Sequence, residues 1–478
     1  MKRFTTILLM LAVYASAFAQ NLSSSNALYN DAFRLAMWTI DNNTDKAGLL
    51  KAGGNYGGEW TRDISINSWN AASQLRPDIA EYSLWSVTNS HNSIGHQYWD
   101  KIIWVIAAWN HYLVTGREAF LKEAYDCCKA SMTQLEDSVF DSKYGLFMGP
   151  AVFQDGIAAY DEPIYDPAYD GNSYVLDHPH SGPMKCLSTN CVYYEAYKTL
   201  ALMGKQLKAS KKEVKAFEKK ATVLRHAILT HLYDKERDHF YYLVDHNGKL
   251  HDYQEGLGIA YAVLFNLIDD TASRKMLAQC EISPSGIVTV APSFPRNTPE
   301  KPGRHNMMVW PHVNMFYASA CAKAGDMKQF WFEMNNLTDL VLHKYEDNLD
   351  SKAQPGKPAG NFHEIYTIDG VPSGGWQCSK VWPALNHQTW CATGYVRNFL
   401  YYIIGMKPDT NGLSFSPIGM EDGSAITLKD IPYRDATLDI TVTGKGNQVK
   451  SCTINGKPSK PFIPANAEGK IDIKLEVM

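Results

Sequence analysis

"GGEWTRDISINSW" (57–69) sets Glu59, Arg62 and Asp63 between Trp60 and Trp69, directly after a glycine-rich run. Charged side chains bracketed by tryptophans make poor core material. They suit a polar ring that also has an apolar face. Indoles cover the face, and an Arg–Asp pair donates to and accepts from the ring's polar groups while each keeps its charge. The plainer reading is a structural ion pair at a helix N-terminus. Either way a helix begins here, because apolar residues recur at helical spacing through residue 75.

The same periodicity predicts helices over 26–40, 64–75, 78–90, 97–114, 117–136, 188–207, 211–231, 255–267, 271–279, 310–324, 327–344 and 387–404. Short and long connections alternate between them. That pattern predicts six helical hairpins closed into a ring, an all-α (α/α)6 toroid with inner and outer helices. Four long connections, 41–63, 137–186, 281–309 and 345–386, are rich in Gly, Pro, Asp, Tyr and Trp. Connections of this length tend to be functional. If they precede inner helices they crowd one end of the ring and form a pocket mouth. After residue 405 polar and apolar residues alternate around Gly-Lys and Asn-Gly turns, which predicts a small C-terminal antiparallel β-domain over 405–478. The ring then occupies 20–404.

Residues 1–19 read as a signal peptide. Lys2 and Arg3 are the basic start, 7–15 the apolar stretch and Ala17-Phe18-Ala19 the cleavage site, so a periplasmic or secreted protein is expected. No later run is long enough for membrane insertion. The 478 residues are 45% apolar and 20% charged, enough to bury a large core. A net charge of −4 gives no basic face for nucleic acid. The 12 Trp and 27 Tyr suit sugar stacking or aromatic packing in a large helical ring. Nine cysteines form no C-x-x-C pair; Cys186–Cys191 is the best local disulfide candidate. No phosphate-cradling glycine loop or Ser/His/Asp elbow is present. His178 and His180 flank a proline, and the acidic run around 160–170 lacks calcium-loop spacing, so neither a metal nor a cofactor is predicted.

"EWTRD" resembles the W-x-R-D element of six-hairpin glycosidases, the clan of glucoamylases, trehalases, family 63 enzymes, debranching glucosidases and rhamnosidase-like barrels. The resemblance implies that Arg62 and Asp63 grip the terminal sugar, with Trp60 as a wall. "GNFHEIYTIDGVPSGGW" (360–376) followed by "HQTWCATGYVRNFL" resembles the clan's general-base segment, with Glu364 as the base and Tyr366, Gln388 and Trp390 as neighbours. The general acid falls in 145–166. Asp155 matches an S-G-W-D-type acid by position, although the chain reads F-Q-D-G. Asp161 and Glu162 are rivals, and Glu59 and Glu255 stay open. Phe147 and Phe153 would raise the acid's pKa. "RHNMMVWPHVNMF" (304–316) resembles a Y-H-N-G-x-V-W-P segment, with Met307 where Gly is common. It implies Trp310 as a stacking face, with Arg304, His305, Asn306 and His312 as hydroxyl partners. Gln97, Trp99 and Asp100 are further pocket candidates, while Trp104 and Trp109 read as core.

The resemblance implies an exported glycoside hydrolase, exo-acting and inverting. It would remove an α-linked glucose, mannose or rhamnose from an oligosaccharide or glycan. Two alternatives keep the ring. One is a polysaccharide lyase or sugar epimerase using His305, His312, His363 or His387. The other is a glycan-binding protein without catalysis, which the degenerate F-Q-D-G motif allows.

Overall fold

The structure, a computed structural model, describes residues 20–54, 56, 58–153, 175, 180–295, 297, 302–342, 352–377 and 380–478. Twelve helices occur among them: α1 (Ala27–Asn42), α2 (Thr61–Asn67, carried by a π turn Ser68–Ala72 into Ser73–Leu75), α3 (Pro77–Ser86), α4 (Ile103–Thr115), α5 (Glu118–Val139), α6 (Leu187–Gln206), α7 (Lys211–His231), α8 (Gly256–Leu264), α9 (Asp270–Leu277), α10 (Pro311–Ala324), α11 (Met327–Leu342) and α12 (Thr389–Asn398, followed by a π turn Phe399–Ile403). Each answers a predicted segment. The largest boundary shift is at α4, predicted from residue 97: Gln97–Ile102 form turns, with Lys101 N–H donating to the Gln97 carbonyl at 3.0 Å.

Local chemistry fixes the ends. Pro77 and Pro311 open α3 and α10, where a missing N–H costs little. Ser210 caps α7 by accepting from Glu213 N–H, and Asp269 caps α9 by accepting from Thr271 and Ala272. α4 and α10 end on the left-handed glycines Gly116 and Gly325.

The residues divide into two compact units, Leu35–Phe399 and 20–34 with Leu400–Met478. In the larger unit the even-numbered helices pack in a closed succession: α2 on α4, α4 on α6, α6 on α8, α8 on α10, α10 on α12, and α12 back on α2. All of α2 and all of α12 within Thr389–Asn398 are buried. The odd-numbered helices are amphipathic; α7 buries only Val214, Ala221, Leu224, Ala227 and Ile228. Connections into odd-numbered helices after α1 are short, and those into even-numbered helices are long. Two further long connections, 87–102 into α4 and 232–255 into α8, were not singled out from the sequence.

The smaller unit holds a six-stranded sheet in the order Asn21–Ser24, Ile426–Tyr433, Asp435–Gly444, Glu468–Val477, Val449–Ile454, Lys457–Pro458. It is mixed rather than purely antiparallel, because Asp435–Gly444 runs parallel to Glu468–Val477. Leu438, Ile440 and Val442 alternate inward in the expected period of two. The edge strand Asn21–Ser24 is short and polar, too weak a pattern to be read as a strand.

No helix among the described residues is long and apolar enough to cross a membrane. Cys186 and Cys191, expected as a disulfide, are separate buried thiols: Cys186 precedes α6, and Cys191 lies inside it, its Sγ turned to the Gly258 carbonyl.

Two buried carboxyls tie stability to pH. Burial pushes Glu255 up to about 8 and Glu333 up to about 7. Unfolding returns both to the ordinary carboxylate range near ~4.3. The folded chain therefore holds extra protons between those limits. The stability is complete below the ordinary carboxylate pKa and is lost as pH rises through 7 and 8. Glu255→Gln is expected to flatten the fall of Tm between about pH 5 and 8, with Glu333 leaving a smaller slope. An unchanged slope in a calorimetric pH series would contradict this.

Candidate active site

Three connections meet at Glu364. Its backbone N–H donates to the Leu385 carbonyl at 2.8 Å, which fixes the loop before α12. Its carboxylate is buried. Oε1 accepts from the Tyr56 hydroxyl at 2.9 Å, from the loop before α2, and from Arg304 Nη2 at 2.5 Å, from the loop before α10. Oε2 is buried and has no hydrogen-bond partner among the described residues. Burial, then the Glu364 charge, pushes the Tyr56 hydroxyl well above its ordinary range, so it stays a donor. One oxygen is thus held by two donors and the other by none among the described residues.

The Gly-rich segment predicted beside Glu364 makes this clamp possible. Gly375 has φ +75°, and a Cβ there would lie 2.8 Å from the Arg304 nitrogen. Only glycine lets the chain pass this close to the Arg304 backbone.

The opening motif supplies a second charged group. Arg62 lies 3.6 Å from Asp63 and 3.6 Å from Asp100, all three buried, with its guanidinium 5.6 Å from the Trp60 ring centroid. Asp63 is in the first turn of α2 and Asp100 precedes α4. This is an ion-pair network, and it also lies within electrostatic reach of the site: Arg62 and Arg304 both act on His305.

A buried aromatic wall adjoins these charges. His305 stacks on Trp310 at 4.3 Å, Trp310 meets Trp390 edge-on at 5.5 Å, and His312 lies 5.3 Å from each indole. Phe153 closes the wall, 4.7 Å from His312 and 5.8 Å from Trp390. Burial holds His312 down at about 3. Burial, then the two arginines, holds His305 well below its ordinary value, so both imidazoles are neutral. Trp60, Trp310 and Trp390 Nε1 and both ring nitrogens of His305 and His312 are buried without hydrogen-bond partners among the described residues. Buried polar groups are rarely left so. Such groups concentrate in this wall among the described residues.

His305 and Met307 have φ of +67° and +53°. The left-handed turn explains why glycine is common at the Met307 position in the resembling segment.

Other expected contacts fall elsewhere. Asn306 is committed to its own loop: Oδ1 accepts from Phe294 N–H and Asn297 Nδ2, both at 3.0 Å. Trp99 is fully buried in a core cluster with Ala151, Met184, Tyr242 and Phe294. Tyr366 packs with Val309 and Leu340 and joins the two-residue ladder to Met308–Val309. Gln388 stands at the N-cap position of α12 without a side-chain cap, fully buried, its Nε2 donating to the Asn386 carbonyl at 3.2 Å. Gln97 is half-buried in the turn before α4. Phe147 stacks on Tyr193 at 3.7 Å. Glu59 pairs with Lys51, and Glu255 is buried where α8 begins. Trp104 is core as expected, donating to the Leu84 carbonyl at 2.9 Å, while Trp109 is half-buried. Asp155, Asp161, Glu162 and His178 lie outside the described residues. Among those described, no group of three His, Cys, Asp or Glu could hold a metal. Tyr56 escaped the sequence reading; its one signal is a lone tyrosine inside "GGNYGG".

The family model for the mannosylglycerate hydrolase MGH1-like glycoside hydrolase domain matches residues 65–367. The chain belongs to this family, and it is a glycoside hydrolase. A search of curated proteins finds no match. Among solved structures it is similar to a GH78 rhamnosidase from Bacillus sp. GL1, at 14% identity and TM-score 0.62, covering 96% of this chain and 44% of that one. It is also similar to a GH63 mannosylglycerate hydrolase from Thermus thermophilus in complex with glucose, at 13% identity and TM-score 0.54, covering 77% and 99%. A third is a Klebsiella oxytoca rhamnosidase with rhamnose bound, at 12% identity and TM-score 0.54, covering 79% and 65%. This chain thus spans less than half of the Bacillus enzyme and nearly all of the Thermus one. At these identities the likeness is one of fold.

Gly375→Ala is expected to push Arg304 off Glu364. Glycoside hydrolysis should fall by about 10²-fold, with the far-ultraviolet circular dichroism unchanged. Full activity in this variant would show that the Arg304 position is immaterial.

Proposed function

We propose that the twelve helices close as an (α/α)6 toroid, and that the chain is an exported, exo-acting, inverting hydrolase. Its substrate is an α-linked glucose, mannose or rhamnose at the non-reducing end of an oligosaccharide or glycan. The closed succession of even-numbered helices supports the toroid. The targeting pattern of residues 1–19 supports export. The glucose and rhamnose in the Thermus and Klebsiella structures favour a neutral hexopyranose.

The observation that carries the mechanism is the half-clamped carboxylate of Glu364. With Oε1 held by Tyr56 and Arg304, the side chain cannot swing, and Oε2 takes the proton of the attacking water. The water's oxygen bonds to the anomeric carbon from one face while the glycosidic bond breaks on the other. Asp155 protonates the departing oxygen, with Asp161 and Glu162 as the rivals for that role. The chain leads into it from Phe153 in the aromatic wall. Inversion needs the two carboxyls roughly 6.5–9.5 Å apart, leaving room for the water. Trp310 and Trp390 meet the sugar's apolar face, Arg62 and Asp63 its hydroxyls, and the neutral imidazoles complete the hydrogen bonding without adding charge.

Glu364→Gln keeps the shape and removes the base. Assayed on α-linked gluco-, manno- and rhamno-disaccharides, it should lose about 10²–10⁴-fold in kcat, with KM within a few-fold. Wild-type kcat in this variant would end the base assignment.

A further inference from the structure

The segment that leads to Asp155 is held by three consecutive side chains at the start of α6. Asn190 Oδ1 accepts from Phe147 N–H at 2.8 Å, and its Nδ2 donates to the Phe147 carbonyl at 3.1 Å. Thr189 donates to the Pro150 carbonyl. Ser188 Oγ accepts from Val152 N–H at 3.0 Å. The contacts run in order along the segment, Asn190 on Phe147, Thr189 on Pro150 and Ser188 on Val152. All three are fully buried.

The helix start that carries this row is itself held from another helix. Cys186 precedes α6 and gives no side-chain cap. Instead the Ser188 N–H donates to Glu255 Oε2 at 3.0 Å, from 67 residues further along the chain. Glu255 stands at the N-cap of α8, its backbone in register with Val290. The fit is close: a Cβ on Gly258 would lie 2.4 Å from Oε2 and 2.9 Å from Leu187. Oε1 is buried and has no hydrogen-bond partner among the described residues.

We infer that Glu255 is a positioning residue for leaving-group protonation: it sets the first turn of α6, and through Ser188 it sets the backbone of Val152 that leads to the acid. This rests on the proposed reading of Asp155 as that acid. The carboxyl works as a neutral acceptor of fixed length, since burial leaves it protonated at neutral pH. Glutamine supplies the same neutral acceptor at the same reach, and alanine supplies none.

Two measurements on the full-length protein test this. In hydrogen–deuterium exchange, Glu255→Ala and Ser188→Ala should speed exchange in the peptide spanning 147–153, and Glu255→Gln should not. In kinetics, a mispositioned acid matters when the leaving group needs a proton and matters little when it does not. Glu255→Ala should therefore lose at least ~10-fold more activity on an α-linked disaccharide than on the corresponding α-glycosyl fluoride, and Glu255→Gln should restore both. Unchanged exchange, or equal losses on both substrates, would overturn the inference. Asp155→Asn separates it from the reading beneath it. If that variant loses the fluoride as severely as the disaccharide, the acid assignment fails, whatever Glu255→Ala does to exchange.

Discussion

The candidate site is built around a clamp on one carboxylate oxygen. Tyr56 and Arg304 both donate to Glu364 Oε1, from connections almost 250 residues apart in the chain. A carboxylate buried without partners is costly, so the donors make it possible to keep the group inside. Because they take only one oxygen, the other is directed rather than merely available. Arg304 of the clamp and Arg62 of the charge network both act on His305, which stacks on Trp310 in the aromatic wall.

The helix arrangement explains how such distant residues meet. Every even-numbered helix is entered by a long connection. The candidate site residues lie at those entries: Tyr56 and Arg62 at α2, Asp100 before α4, Phe153 before α6, Arg304 and Trp310 before α10, Glu364 and Trp390 around the start of α12. The buried helices give a rigid frame, and the loops carry chemistry on it. Glycines at 53 and 375 permit close contacts between these loops, against Gln388 and Arg304.

Helices were legible because burial stamps a period on the sequence. Even α12, with no exposed face, was marked by its length and by the Gly- and Trp-rich loop before it. Site residues were legible only as types. Trp99 and Trp310 look alike in sequence, and so do Tyr366 and Tyr56. One of each pair packs in a core cluster and the other meets the candidate site. An aromatic ring with a polar tip suits either place, and long-range contacts decide. Asn306 shows the same limit: its amide reads as a hydroxyl partner, yet a local loop uses it fully. The strand Asn21–Ser24 was invisible because its partner lies about 400 residues away.

The most direct test of a water-activating Glu364 is the stereochemistry of the first product. Proton NMR, begun within the first turnover period on an α-linked disaccharide, distinguishes the anomers before mutarotation mixes them. The account predicts the β-anomer, formed by one displacement from the face opposite the leaving group. The α-anomer as first product would require a covalent glycosyl intermediate and would contradict the role given to Glu364.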